Sequence, residues 1–184
     1  VDINAEINND ASVEFYTFKD KEGKEVFWHS SAHLLAEAVQ VLYPKAKFGI
    51  GPAVDNGFYY DIDFGDNKIS SEDFLSIETK MIELSRQKNT FHRQEISKKD
   101  AVGYFTKRND VYKVELLQDL KDGDITFYKQ GNFIDLCRGP HIPDTGKIKS
   151  IKLLNVAGAY WKGDEANNQL TRIYGVSFPK KKEL

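Results

Sequence analysis

The stretch from Lys47 to Phe64, KFGIGPAVDNGFYYDIDF, limits the fold more than any other part of the chain. Asp55-Asn56-Gly57 stands between two apolar runs, and residues of this kind accept the positive φ of a tight hairpin turn, so the flanking runs must pair antiparallel. The second run, Phe58 to Phe64, alternates as a half-buried strand does. Two more pairs of runs follow. Asp124 to Tyr128 and Asn132 to Leu136 flank "KQG", and Ile151 to Trp161 and Gln169 to Phe178 flank "KGDEANN". Helical segments fall between the hairpins. Ser30 to Tyr43 is rich in Ala and Leu, contains no glycine and stops at Pro44, which cannot continue a helix. Phe74, Ile77, Met81 and Leu84 recur at helical spacing behind serines suited to an N-cap, and SKKDAVGYFTKRN repeats the pattern more briefly. Residues 1 to 24 alternate in part and close on the turn signal Lys21-Glu22-Gly23, which predicts strand material and a soft boundary near residue 24. Helices clustered between hairpins, without regular βαβ alternation, predict an α+β fold: an antiparallel sheet covered by helices on one face, in two layers.

Composition narrows the function classes. With 184 residues, 40% hydrophobic and 29% charged, the chain can bury the core of one domain. No stretch approaches the roughly 20 apolar residues that cross a bilayer, and no leader opens the sequence. A single cysteine excludes an internal disulfide and is compatible with a reducing cytoplasm. The formal net charge of -2 argues against a protein that grips long stretches of nucleic acid backbone. Lys147, Lys149 and Lys152, and the closing Lys180, Lys181 and Lys182, are locally basic and are expected to be solvated. No glycine-rich phosphate cradle is present. A start at Val1 with Met81 as the sole methionine suggests a piece of a longer polypeptide.

The chemistry is concentrated in two short segments. "HSSAH" places His29 and His33 one helical turn apart on the same side. "CRGPH" repeats the spacing with Cys137 and His141, but Gly139 and Pro140 make it a bent loop, so the pairs meet only if the fold brings them together. The four side chains are a plausible inventory for tetrahedral zinc. They also suit a cysteine–histidine nucleophile, or a site that positions a substrate and its water. Asp135, two residues before Cys137 on a strand, should point to the same side. His92 is expected on an exposed strand, and Trp28 and Trp161 in the core or a pocket wall.

In order and spacing, the blocks "WHSSAHLLAEAVQVLYP", "GPAVDNGFYYDID", "YKVELL", "FIDLCRGPHIP" and "AGAYWKGDEANNQLTRIYG" resemble the N-terminal editing domain of bacterial-type threonyl-tRNA synthetases, in the domain family shared with alanyl-tRNA synthetases. The resemblance implies that residues 1–24 are the tail of a small ubiquitin-like domain or a linker strand. Residues 25–178 would be the editing domain, and 179–184 the start of a linker to an aminoacylation core. It implies hydrolysis of the ester that joins serine, wrongly attached, to threonine tRNA, in the cytoplasm, in a homodimeric full-length enzyme. The partner would be the 3′-terminal adenosine of that tRNA, and no cofactor would be needed. The implied site comprises His29, His33, Lys113, Asp135, Cys137 and His141. Water is the nucleophile, activated by His29 with help from Lys113, while Lys113 or His33 stabilises the developing charge. Asp135 orients the serine amino group or hydroxyl, Tyr60 packs against the adenosine, and Gly51 lets backbone approach its sugar or base. Cys137 shapes the pocket. The resemblance implies no metal; the alanyl type would instead hold zinc on His29, His33, Cys137 and His141.

Overall fold

The computed structural model describes residues 1–183. The α+β expectation holds, with every sheet antiparallel, but the strands divide into two sheets where a single one was expected. The first sheet contains β1 (Lys47–Phe48), β2 (Ala53–Val54), β3 (Gly57–Asp63), β7 (Ser150–Tyr160) and β8 (Gln169–Phe178), in the order β1-β3-β8-β7 with β2 also on β3. The turn at Asp55-Asn56 pairs Val54 with Gly57 and Ala53 with Phe58, as the sequence predicts. The second sheet is β4 (His92–Glu95), β5 (Thr126–Gln130) and β6 (Phe133–Leu136), in that order, with His92 exposed.

The helices are α1 (Lys21–Leu42), α2 (Phe74–Arg86), α3 (Lys98–Lys107) and α4 (Val111–Gln118). In α2 the predicted stripe of Phe74, Ile77, Met81 and Leu84 is buried, and the preceding turn is capped by Ser70, whose hydroxyl accepts from Glu72 N. Helix α1 touches strands of both sheets and also α2. Enclosed in this way, it is buried on every side from Ser30 to Val39, polar residues included. A helix buried all round must satisfy its polar side chains within the protein.

Residues 1–20 contain no strand, a correction to the sequence reading, and α1 begins well before Ser30. The physical cause is local. Thr17 donates from its backbone N–H and its hydroxyl to Asp20 Oδ2 at 2.8 and 2.9 Å, and this turn folds back over the first helical turn. A Cβ on Gly23 would sit 1.9 Å from the Thr17 carbonyl oxygen, so Gly23 permits a close approach inside a helix and does not end a strand.

The main core joins Leu34 and Leu35 of α1 to Phe58, Ile62, Ile77, Met81 and Ile173, and extends to Phe133 of the second sheet. A smaller core of Ala101, Phe105, Leu117, Ile125 and Phe127 lies beneath α3 and α4. Each fully buried Leu, Ile or Phe contributes about 1.5–3 kcal/mol. Trp28 and Trp161 are buried, as expected. The lysines in KIKSIK are surface residues, with Lys152 pairing to Glu78 at 3.1 Å and Lys147 facing Asp144 at 3.8 Å.

Candidate active site

Helix α1, helix α4, strands β3 and β6, and the loop after β6 converge where the two sheets meet. His29 and His33 project from one side of α1. The loop carrying Cys137 and His141 is drawn onto that helix by Ser30, whose hydroxyl accepts from Ile142 N at 3.0 Å. The bend comes from Gly139, at φ +67°, where a Cβ would also strike the Tyr128 hydroxyl. The distant pairs therefore meet. His29 Nε2 stands 2.9 Å from Cys137 Sγ, Cys137 Sγ stands 3.8 Å from His141 Nε2, and His141 Nε2 is 3.3 Å from His33 Nε2.

Beside these groups lies an ion pair. Lys113 of α4 is 2% exposed and bonds the Asp135 carboxylate through Nζ. Asp135 Oδ2 also accepts from the Tyr60 hydroxyl at 2.6 Å and lies 3.6 Å from His33 Nε2. Lys113 Nζ further donates to the Tyr60 oxygen at 3.2 Å. Two residues expected to meet the substrate pack against each other. Tyr60 is fully buried, and its hydroxyl bonds both Asp135 and Lys113. Gly51 does permit a close approach, but to Tyr60, since a Cβ would lie 2.3 Å from that ring. Its carbonyl oxygen lies 3.0 Å from His29 Nδ1.

That contact fixes a proton. A carbonyl only accepts, so His29 carries hydrogen on Nδ1 and turns a lone pair at Nε2 toward the thiol. Burial pushes the Cys137 thiol up to about 12, with the Asp135 charge adding to it, so the sulfur keeps its proton and donates to His29. Burial likewise lowers His29, and holds His33 and His141 well below the ordinary imidazole range, where neighbouring imidazoles depress them further. All are neutral at pH 7.

His29 opens onto the larger of two clefts that border the site. A groove of about 750 Å³ is lined by Lys19, Lys21 and Lys24, by Pro52–Asp55, and by Gly139 and Pro140, with His29 in its wall. Cys137 is also half-buried and borders a second cleft beside Leu116, Leu120 and Thr126, while the remaining site groups are enclosed. His33, Lys113, Asp135 and His141 are each at most 4% exposed.

The donor set fits zinc. The ligand atoms of His29, His33, Cys137 and His141 lie within 4.8 Å of one another. Zn–N near 2.0–2.1 Å and Zn–S near 2.3 Å imply ligand–ligand separations of about 3.3–3.6 Å, so the four atoms, between 2.9 and 4.8 Å apart, would have to shift to take up the ion. Only His29 has the outer-shell acceptor that usually steers a metal-bound imidazole, because Nδ1 of His33 and of His141 lacks a hydrogen-bond partner. Sequence reasoning missed Glu37 and Gln130, both buried behind His33. Glu37 follows His33 by the same four-residue step that separates the histidines, a signal that was legible; Gln130 had none.

This arrangement of a buried imidazole and thiol cluster beside a lysine–carboxylate pair accompanies a recognisable sequence family. Residues 125–174 match the family model described as the threonyl and alanyl tRNA synthetase second additional domain. Over its whole length the chain is similar to curated threonine–tRNA ligases, at 64% identity for that of Cytophaga hutchinsonii, 56% for Parabacteroides distasonis and 58% for Porphyromonas gingivalis W83. The chain spans 28% of the length of these relatives. It carries the domain common to the threonyl and alanyl synthetases. Within that family its likeness along all 184 residues is to the threonyl enzymes. Among the described residues, no helix is long and apolar enough to cross a membrane.

Proposed function

We propose that this domain edits: it hydrolyses the ester joining serine to the 3′-terminal adenosine of threonine tRNA, beside an aminoacylation core in a cytoplasmic, homodimeric synthetase. The physical need is definite. Serine lacks one methyl group of threonine, worth only about 1–3 kcal/mol in a binding pocket, so a second pocket must destroy what the first admits.

The observation that carries this reading is the His29 imidazole, held by the Gly51 carbonyl with its Nε2 lone pair turned inward, in the wall of an open groove. A neutral imidazole set so is a general base for a water that enters from the groove and takes the place of the weak thiol donor at Nε2. Lys113, kept in place by Asp135 and Tyr60, supplies positive charge for the developing oxyanion. Asp135, fixed by the same bonds, orients the serine amino group or hydroxyl. Cys137 shapes the pocket. A thiol raised to about 12 is a poor nucleophile at neutral pH, which favours direct attack by water.

Hydrolysis is proposed to proceed without metal. A second reading rests on the convergence of His29, His33, Cys137 and His141, which would hold zinc and let it act as a Lewis acid on the ester carbonyl. The test uses the 184-residue chain, dialysed against chelator, with seryl- and threonyl-tRNA. Selective serine release is expected, lowered about 10²–10⁴-fold in the His29→Ala variant. Release equal to spontaneous hydrolysis would overturn the editing proposal. Chelator-sensitive activity with one zinc per chain would replace the metal-free mechanism.

A further inference from the structure

The tip of the β7–β8 hairpin, Tyr160-Trp161-Lys162-Gly163-Asp164, takes no part in the proposed hydrolysis, yet its backbone is held in an unusual shape. Lys162 lies at φ +55°, a left-handed conformation that residues with a side chain rarely adopt, and Gly163 follows at φ +74°. Trp161 is fixed within the hairpin through both of its backbone groups. Its N–H donates to the Asn168 carbonyl at 3.0 Å, and its carbonyl accepts from Asn167 Nδ2 at 3.0 Å. Successive side chains on a strand point to opposite faces. Across the left-handed turn, Trp161 and Lys162 instead reach one carboxylate, that of Glu115 on α4. The indole Nε1–H donates to Oε2 at 2.9 Å, and the Lys162 ammonium meets Oε1 at 2.7 Å. Strain kept in this way is a pointer to function.

Glu115 follows Lys113 by two residues. Tyr112, immediately before Lys113, packs its ring edge-on against the same indole, with centroids 5.0 Å apart, in a small core shared with Leu170. The Tyr112 hydroxyl also donates to Asp63 Oδ2 at 2.8 Å and accepts from Asn168 of the hairpin at 3.3 Å. Trp161 therefore grips α4 on either side of the lysine. A helix of 8 residues needs such a grip. Val114 and Leu117 pack into the smaller core, and apolar contacts of that kind are non-directional, so they resist neither rotation nor slide. Lys98 bonds the carbonyls of Gln118 and Leu120, beyond the lysine. A slide by one residue would carry Lys113 about 1.5 Å along the axis and break its bonds to Asp135 and Tyr60. Displacing a catalytic group by about 1 Å costs as much as a hundredfold in rate.

We propose that Trp161 and Glu115 are positioning residues: the indole N–H, bonded to the Glu115 carboxylate, fixes the rotation of α4 and so places Lys113 Nζ against Asp135 and Tyr60. The part concerning turnover rests on the editing proposal; the placement of the lysine does not. Lys113 meets charge that develops only in the transition state, so its misplacement lowers kcat and leaves KM as it was.

The test uses the 184-residue chain with ¹⁵N-labelled lysine. The buried Lys113 ammonium is observed by NMR at low temperature and identified by its through-space contact with the Tyr60 ring. Glu115→Ala removes the acceptor at a half-buried helical position and keeps a good helix former. In this variant, and in Trp161→Phe, the ammonium signal should shift or broaden, and kcat for seryl-tRNA should fall about tenfold with KM unchanged. Glu115→Gln keeps an acceptor for the indole, while Lys162 retains Asp119 at 3.3 Å, and it should restore both the signal and most of the rate. A Lys113 signal or a kcat in Glu115→Ala equal to that of the unsubstituted chain would overturn the proposal, and so would an equal loss in Glu115→Gln. If Trp161→Phe fails to fold, the two Glu115 variants still decide it. A displaced signal in Glu115→Ala, in a chain that releases no serine even when unsubstituted, would sink the editing reading and leave the positioning inference standing.

Discussion

At the scale of residues, Lys113 shows how a site differs from a surface. On a helix it would ordinarily be a solvated lysine, yet it is buried and bonded to Asp135 and Tyr60. A buried ion pair adds little over a well-packed apolar pair, but losing one partner strands the other's charge, at about 3–5 kcal/mol. Lys113→Met should therefore destabilise the chain by that amount in urea unfolding. Lys113→Met combined with Asp135→Asn should regain most of the loss while remaining inactive on seryl-tRNA. If the double variant is no more stable than the single, the pair is not the isolated unit described here. Legibility at this scale was uneven. His29, His33, Cys137 and His141 stood out because rare residue types recurred at one spacing. Strand alternation placed Asp135 on the side of Cys137, whereas Lys113 became a candidate through resemblance alone, since neither its type nor its spacing distinguishes it from surface charge.

At the scale of elements, local chemistry was read well wherever a turn or cap decided the structure. The Asp55-Asn56-Gly57 hairpin, the α2 stripe and the β5–β6 and β7–β8 pairs follow from their own residues. The failures came where a contact from outside the element decided. Gly23 resembles a strand-ending turn until Thr17 folds over it, and the division into two sheets follows from α1 passing between them. Gly51 belongs with these. It lies outside any strand, in the connection between β1 and β2, and its missing side chain is what allows the fully buried Tyr60 ring its place. Gly51→Ala would force a Cβ to within 2.3 Å of that ring, and overpacking of this kind costs about 1–3 kcal/mol. Because the same residue's carbonyl orients His29, the variant should also lose deacylation by more than its loss of folded fraction explains. Circular dichroism melts beside single-turnover rates would separate the two effects. A variant with normal stability and normal rate would show that the connection tolerates the side chain and that its backbone does not set the imidazole.

At the scale of the whole molecule, burying imidazoles at the meeting of two sheets ties folding to pH. His33 and His141 are held well below their ordinary value near 6.5, chiefly by burial, so an unfolded chain takes up protons near that pH which the folded chain refuses. Stability therefore rises with pH wherever these two differ, is complete above about 6.5, and falls as the solution is acidified. Other buried groups act in the opposite sense. Asp110, raised by burial from 3.8 to about 6, and Glu37, also raised by burial, take up protons in the folded state first and offset part of the loss at lower pH. Between pH 7 and 6 the histidines prevail, since two imidazoles are set against Asp110, which reaches half protonation only at the lower end of that interval. At about 1.4 kcal/mol per unit shift and partial protonation of each imidazole, the net loss over that interval is about 1 kcal/mol. Urea midpoints at pH 7 and 6 measure it directly, and Asp110→Asn should make the loss steeper by removing the offset. Stability that stays level or increases on acidification would mean that His33 and His141 accept protons while buried. Their charge would then lie against the His29 ring, whose neutral form the proposed hydrolysis requires.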